Sequence, residues 1–534
     1  MKSITISKLI NYFFSKVGNM RKGLIMVLLL VLTAGCSGVS VKKNSIYADA
    51  ESFANAPLTK EQMYEDFNVL YELVKSKFIR IGIVKELFGY DILAQLQSIS
   101  NRIKSITDKK DFVRLINEAL VSLQELHSTI NQWELGNITA DQKIKQYYSA
   151  VNSIYRSWLP KYGNQIELRL PIVYFQGEYV FYKTYTNGLT VVGAGSMVKK
   201  IDGTPIDDFI LTLMSTKHPY WDKFKKKYYH EKFYLSEPVY QNKSFTLEFD
   251  DHGVSKTAKF HIDQHVIEHV THGESEPIVM YFPERNLLYI RYTDCMDFEL
   301  YEKSIPQYQG KNIQKVIIDI RGNPGGYPEM THHLLGLIID LPLIYSISNA
   351  LKWMEDTDTT PETYILWSGY TFFDYYYRKI EVNKKLPWFE KLIDVFTFFC
   401  YIYPQPNSIR YTGKIYILQD RDIYSAANNL SQIGYYSDKI VTIGEPAGYY
   451  QGTLEEPIIH YYLLPNSKIF FRMTESADLT GVTDMQSFYH DEVDVYIPYP
   501  LDYLIDRQTN SIDFYSTKYL LYHDPLMKYA LGQE

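Results

Sequence analysis

Residues 316–326 read VIIDIRGNPGG and couple an apolar run to a glycine-rich turn. The run 316–320 is mostly apolar, which predicts a strand that is buried on both faces, as in a parallel sheet. Gly325 and Gly326 can adopt positive φ angles and let the backbone approach a bound group closely. Amides at such a turn can stabilise a developing oxyanion or hold a phosphate. No Gly-Lys-Ser/Thr sequence of a phosphate-binding loop follows.

A second segment, residues 415–443, predicts a strand, a helix and another strand. Between the first strand and the helix stands DIYSAAN, residues 422–428. A serine at a bend from strand to helix can expose its hydroxyl at the sheet edge, so Ser425 is a candidate nucleophile. The neighbouring Ala426 amide is a candidate oxyanion donor. The alternative for Ser425 is a helix N-cap, which serine often forms.

The two segments together, with Gly444-Glu445-Pro446 after the last strand, resemble the core of the tail-specific (C-terminal-processing) serine peptidases. Relatives of that family include the tricorn protease core and retinoid-binding modules of similar fold. The resemblance implies an α/β core of the ClpP/crotonase-like peptidase type, with an N-terminal helical region and a PDZ-like β segment. It also implies peptide-bond hydrolysis without a cofactor, in which Gly325, Gly326 and Ala426 stabilise the oxyanion.

Two catalytic arrangements occur in that family, and the resemblance favours the one with histidine. In the other, a lysine lies about 25 residues after the serine, where this chain has Tyr450. The segment LQELHS, residues 123–128, resembles the family pattern L-x-D-x-H-S/T and implies that His127 is the general base. Imidazoles titrate near neutral pH, which suits proton transfer from a serine. The alternative is a structural histidine at a helix end.

A carboxylate should orient the histidine, and the resemblance implies Glu492, in a tail segment similar to the family's V-E-P-D-I. Glu475 is the competing candidate, and either residue could instead be a solvated surface charge. Two departures from the family leave a non-catalytic relative open. Asn428 stands where glutamate is frequent, and Val493 replaces the proline of the tail segment.

The chain of 534 residues is too long for a single core. We predict a signal peptide over 1–35, a tether over 36–56 and a helical region over 57–135. A PDZ-like β domain over 165–280, with an Asp202-Gly203 hairpin turn, precedes the α/β core over 281–534. Residues 327–410 form an aromatic-rich insertion of this core, either a helical lid or helices packed on the sheet.

The N-terminus predicts a lipid anchor. Arg21 and Lys22 precede a short apolar run that ends in LTAGC, residues 32–36. This has the shape of a signal peptide and resembles a bacterial lipobox, with Thr33 in place of the usual leucine. Cys36 would then be acylated, and the protein would lie in the cell envelope on the extracytoplasmic side of a membrane. The alternative is a buried apolar strand with a chance cysteine.

Charge and metal-ligand spacing argue against nucleic-acid binding and against a metal site. The formal net charge is −7, and −12 without the five basic residues of 1–35, so nucleic acid is not an expected partner. A histidine cluster at 252–272 lacks the His-Glu-x-x-His order and contains only the short inverted order at His265-Val266-Ile267-Glu268-His269. No cysteine pair has zinc-site spacing, so we predict no metal; the alternative is a metal-binding module built on this cluster. Cys295 and Cys400 could form a disulfide.

We therefore predict a serine peptidase that acts on peptides or proteins through an acyl-enzyme at Ser425, with His127 as base. The alternative is an inactive lipoprotein of the same fold that binds peptides or apolar ligands in the same cleft.

Overall fold

The computed structural model describes residues 46–131, 141–159, 166–167, 170–187, 190–214, 218–231, 234–235, 244–261, 276–352, 375–376, 393–434, 437–448, 459–478, 493–509 and 512–532. The signal peptide, Cys36, Tyr450 and Glu492 lie outside these residues. No helix in the described residues is long and apolar enough to cross a membrane.

The N-terminal region is helical, as predicted. Its helices α1–α6 are residues 46–55, Lys60–Lys77, Ile81–Phe88, Ile92–Ser100, Lys109–Val121 and Gln142–Trp158. Asp108 caps α5 by accepting a hydrogen bond from the amide of Asp111. A small sheet of β1 (Thr129–Ile130), β22 (Ile459–Leu463) and β23 (Phe470–Thr474) packs into the same core, in the order β1-β23-β22.

The prediction of a tether over 36–56 is wrong for its second half, because residues 46–55 form α1. Ala50 and Ala54 are fully buried in the helical core. These two residues lie one turn apart, so a single face of α1 packs against the other helices. Small residues that suggested a flexible segment therefore serve close helix packing.

The β domain follows. Its strands β2–β13 are Ile166–Glu167, Ile172–Phe175, Glu178–Phe181, Tyr185–Asn187, Thr190–Val192, Met197–Ile201, Thr204–Pro205, Tyr220–Asp222, Lys227–Tyr229, Tyr234–Leu235, Ser244–Asp251 and Val254–His261. An antiparallel sheet runs β13-β12-β7-β4-β3, with β8 on β7, and α7 (Ile206–Leu213) packs on it. Asp202 and Gly203 both have positive φ, at 46° and 80°, as the predicted hairpin turn requires.

The α/β domain is built on a six-stranded sheet. Its strands are β14 (Ile278–Phe282), β15 (Leu287–Arg291), β16 (Lys315–Asp319), β20 (Ile415–Gln419), β21 (Ile440–Gly444) and β25 (Val495–Tyr496), in that order. All neighbours are parallel except β14, which is antiparallel to β15. The predicted strands of this core are thus confirmed, including the one that ends at the glycine turn.

Helices cover both faces of this sheet, as expected for buried parallel strands. Along β16, Val316 and Ile318 face one core and Ile317 faces the other. The first core contains α9 (Pro328–Ile338) and α10 (Ala426–Ile433), and the second contains α12 (Thr517–Tyr522) and α13 (Pro525–Leu531). Two further helices in the described part of this domain are α8 (Glu299–Ser304) and α11 (Leu501–Thr509).

The insertion 327–410 is not a helical lid in its described part. After α9, strands β17 (Leu343–Lys352) and β19 (Ile393–Ile402) pair over ten residues each, with β18 (Tyr375–Tyr376) on β19 and β24 (Ala477–Asp478) on β17. The run FTFF at 396–399, which suggested a helix, lies within β19. Phe and Thr are frequent in strands, so local preference and structure agree there.

Candidate active site

Ser425 stands at a strained bend between β20 and α10. Its φ is 54° and its ψ is −128°, a conformation that side-chain-bearing residues rarely adopt. It occupies the position before the first helical residue, but its side chain makes no capping hydrogen bond. The strain therefore does not serve a cap. It presents the hydroxyl at the carboxyl end of the parallel sheet, where ligands of α/β folds commonly bind.

The structure brings His127 to this serine across 298 positions of sequence. His127 lies in the turn after α5, just before β1, and its Nε2 is 3.2 Å from Ser425 Oγ. That separation is at the long end of hydrogen-bond range, as in many catalytic pairs without substrate. With a proton on Nδ1, Nε2 is free to accept the hydroxyl proton. The predicted pairing of these two residues is thus present.

A buried carboxylate holds the other side of the imidazole, and it is Glu125. Its Oε1 lies 2.7 Å from His127 Nδ1 and accepts the His127 backbone N–H at 2.9 Å. Its Oε2 accepts the Ser128 hydroxyl at 2.7 Å. Burial alone would raise the pKa of Glu125, but the charge and hydrogen bond of His127, with the charge of Arg80, hold it below its usual range. Glu125 is therefore ionised and fixes the ring.

The sequence-based choices of carboxylate were Glu492 and, as its competitor, Glu475. Glu492 lies outside the described residues, and Glu475, the competitor, contacts a different histidine: its Oε2 is 2.6 Å from His460 Nδ1. Glu125 stands at the aspartate position of the L-x-D-x-H pattern, which was the available signal. A residue two positions before a histidine reaches its ring only in a tight turn. Such a turn exists here, because the Ser128 amide donates a hydrogen bond to the Glu125 carbonyl oxygen at 3.2 Å.

The glycine turn lies directly against the nucleophile. A Cβ on Gly325 would stand 2.5 Å from the Tyr424 carbonyl oxygen and 2.7 Å from Ser425 Cβ. A Cβ on Gly326 would stand 2.5 Å from the Cys295 carbonyl oxygen. Both glycines also have positive φ, 94° and 148°. Only residues without a side chain fit this contact.

The three predicted oxyanion donors are not equivalent. The Gly325 amide donates to Asn323 Oδ1 at 2.8 Å, so it is engaged within the turn. For the Gly326 and Ala426 amides, no acceptor occurs among the described residues. Ala426 opens α10, and the first amides of a helix have no partner within the helix. The prediction for Gly325 as donor is thus wrong in this conformation, whereas Gly326 and Ala426 can still donate.

Buried ion pairs fix the two loops that form the site. The Asp319 carboxylate accepts Arg321 Nε at 2.9 Å, and Arg321 Nη1 donates to Asp524 at 2.6 Å. Burial would raise the pKa of Asp319, but Arg321 and then Arg291 hold it below its usual value. Asp420 Oδ1 accepts the Gly322 amide at 2.9 Å and thereby joins the glycine turn to the segment that carries Ser425.

Two other predictions concern a disulfide and a metal site. Cys295 and Cys400 are both buried thiols that form no disulfide with each other. Within the described ranges, no group of histidine, cysteine and carboxylate side chains could hold a metal. His265, His269 and His272 lie outside those ranges. The described part of the site offers amides, a hydroxyl, an imidazole and a carboxylate, which is the chemistry of acyl transfer.

Comparison with known proteins agrees with this chemistry. The model of Peptidase family S41 matches residues 286–483, less than half of the chain, and includes the glycine turn and Ser425. The match confirms the prediction of a serine peptidase, and hence of a hydrolase. It does not reach His127 or Glu125. No curated protein is significantly similar to the chain in sequence.

Several solved structures are similar over most of the chain. Mature CPAF is 14% identical, with 85% of this chain and 95% of that chain covered and a TM-score of 0.48. The photosystem II D1 C-terminal processing protease is 12% identical, with coverages of 84% and 97% and a TM-score of 0.31. A putative peptidase from Parabacteroides merdae is 8% identical, with coverages of 85% and 93% and a TM-score of 0.37. Because these scores are below 0.5, the assignment rests on the family match.

Proposed function

We propose that the chain hydrolyses peptide bonds through an acyl-enzyme on Ser425, with His127 as general base and Glu125 as its orienting carboxylate. One observation carries the proposal: His127 Nε2 lies 3.2 Å from Ser425 Oγ while Nδ1 lies 2.7 Å from a buried carboxylate. This fixes the tautomer in which the nitrogen next to the serine accepts a proton.

In the proposed reaction, Ser425 Oγ attacks the peptide carbonyl carbon as His127 takes the hydroxyl proton. The Gly326 and Ala426 amides stabilise the negative charge that develops on the carbonyl oxygen. His127 then gives the proton to the leaving amine, and the C–N bond breaks. Water, deprotonated by the same imidazole, cleaves the acyl ester and restores Ser425. This is the histidine variant of the family chemistry, as the sequence suggested.

Hydrolysis of fluorescently labelled casein and covalent labelling by a fluorophosphonate test this proposal. We expect the wild type to show both, and Ser425→Ala and His127→Ala to lose both by at least about 10³-fold. His460→Ala is the matched control, since His460 also contacts a buried glutamate. Wild-type protein that is folded but neither labels nor cleaves would instead support the non-catalytic binding lipoprotein.

We also propose that the β domain acts as the PDZ-like module and captures the end of an extended substrate by strand addition. An antiparallel sheet and the Asp202-Gly203 turn support this assignment. Cleavage of a peptide with a free C-terminal carboxylate should then exceed that of its amidated form. Equal rates for the two peptides would contradict it.

Finally, we propose that Cys36 carries a lipid that anchors the protein on the extracytoplasmic side of a membrane. The basic, apolar and small-residue order of 21–36 supports this. In a bacterial host, the wild type should fractionate with membranes and Cys36→Ala with the soluble fraction. Membrane retention of Cys36→Ala would contradict the proposed anchor.

A further inference from the structure

Two consecutive residues contact the two nitrogens of one imidazole. Ser425 Oγ is 3.2 Å from His127 Nε2, and the hydroxyl of Tyr424 is 3.0 Å from His127 Nδ1. The Tyr424 hydroxyl also donates to Glu125 Oε1 at 3.2 Å. The ring of Tyr424 lies 5.0 Å from the imidazole, tilted by 30°. The residue before the nucleophile therefore reaches the far side of the base.

We propose, on the basis of the function proposed above, that Tyr424 is a positioning residue of the peptidase: its hydroxyl holds Glu125 and thereby sets the orientation and basicity of His127. Tyr424 itself does not contact the reacting atoms. Nothing in the Ser-His-carboxylate scheme requires it.

The carboxylate geometry explains why the phenol matters. Glu125 Oε1 receives three donors, which are the His127 amide, His127 Nδ1 and the Tyr424 hydroxyl. Each donor withdraws some negative charge from that oxygen. Without the phenol, Glu125 would stabilise a protonated imidazole more strongly, and a protonated imidazole cannot accept the serine proton.

The donor is present across the working pH range. Burial, and then the charge of Glu125, raise the pKa of Tyr424 well above its usual value. Two other titratable groups face Glu125. Arg80 is buried and contributes a positive charge, and burial lowers the pKa of His218 to about 4 against the opposing charge of Glu125. His218 is therefore neutral near pH 7.

The backbone links the phenol to the nucleophile. The Tyr424 amide donates to the Asn323 carbonyl at 3.0 Å, so the glycine turn holds the segment at Tyr424. Because Ser425 follows at a strained φ of 54°, a shift of either residue displaces the other. Tyr424, which belongs to the same segment as Ser425, thereby helps to position His127 relative to the Ser425 hydroxyl.

The test is Tyr424→Phe, which keeps the ring and removes the hydroxyl. The readout is the second-order rate constant of Ser425 labelling by a fluorophosphonate between pH 5 and 9. We expect the constant at pH 7 to fall about tenfold, as loss of a hydrogen bond to a charged group predicts. We also expect the acidic limb of the profile to move up by about half a pH unit. An unchanged limb and a rate within twofold of wild type would overturn the proposal.

A double-mutant cycle shows whether Tyr424 acts through Glu125. In a Glu125→Gln background, Tyr424→Phe should change the labelling rate by less than about twofold. A further tenfold loss there would show that the tyrosine acts by another route and would refute the proposal.

The chain contains a matched control. Tyr462 donates to Glu475, which contacts His460, so Tyr462→Phe removes the same group from the same kind of contact elsewhere. Tyr462→Phe should leave the labelling profile unchanged. If it lowered the labelling rate as much as Tyr424→Phe does, the effect would be general destabilisation and the positioning role would be overturned. If the wild type did not label, or labelled without Ser425, the proposed function would fail, and this outcome is distinct from a normal wild type with an unaffected Tyr424→Phe.

Discussion

Replacement of Glu125 by glutamine tests most directly whether Glu125 is the carboxylate that orients His127. The substitution keeps size and an acceptor oxygen but removes the charge next to the imidazole. Opposite unit charges at the observed 2.7 Å, in an effective dielectric of about 20, interact by roughly 6 kcal/mol. Glu125 is only 1% exposed, so solvent screens this pair little.

Only part of that energy is lost in Glu125→Gln, because the amide oxygen can still accept a neutral hydrogen bond. A loss of half, about 3 kcal/mol, slows the reaction about 10²-fold, and loss of the whole slows it about 10⁴-fold. We therefore expect the rate of fluorophosphonate labelling at pH 7 to fall between these limits. Binding of a non-covalent substrate should change little, so casein hydrolysis should lose kcat rather than gain KM.

The control is Glu475→Gln, the same change beside His460. It should leave labelling within about twofold of wild type. Urea unfolding of both variants, followed by circular dichroism, separates chemistry from folding. If folded Glu125→Gln labelled as fast as wild type, or if Glu475→Gln were the slow variant, the assignment of Glu125 would be wrong.

Three further predictions concern the supports of the site. Gly325→Ala should slow labelling by at least about 10²-fold, because its Cβ would lie 2.7 Å from Ser425 Cβ. The control is Gly310→Ala, which also has a positive φ, of 78°, but has open space around its Cβ and should therefore lose only stability. Equal losses of labelling in the two variants would contradict the steric argument. Asp524→Ala removes one carboxylate partner of the buried Arg321 and should lower the free energy of unfolding in urea by about 3–5 kcal/mol. The control is Asp502→Ala, at an exposed site. A loss below about 1 kcal/mol for Asp524→Ala would contradict this prediction. Burial and the Asp422 charge raise the pKa of Asp420 to about 6 from 3.8, so its ionisation costs stability as pH rises through that range. The stability of Asp420→Asn relative to wild type should therefore increase from pH 4 to pH 6.5 in urea titrations, and a constant difference would refute the buried-acid interpretation.

The sequence predicted the parts of the fold that local pattern determines. The apolar run 316–320 and the Asp202-Gly203 turn each follow from residue preferences within a few positions. The insertion 327–410 was harder, because a long aromatic run fits a strand as well as a helix. Pairing of β17 with β19 decides between them, and pairing is a contact across about fifty residues.

At the site, the sequence supplied the nucleophile and the base but not the geometry around them. Ser425 and His127 stand in recognisable local patterns. Glu125 was missed although it stands at the aspartate position of the L-x-D-x-H pattern, since its role depends on a turn that folds its side chain back onto His127. The engaged Gly325 amide was missed for the same reason, because Asn323 accepts from it two residues away.

A crystal structure of the protein after reaction with a fluorophosphonate would decide whether these groups act together. We predict a phosphorus bonded to Ser425 Oγ, with its non-ester oxygen within hydrogen-bond distance of the Gly326 and Ala426 amides and His127 still seated on Glu125. An adduct on another residue, or one whose oxygen faces solvent with the imidazole turned away, would contradict the proposed hydrolytic centre.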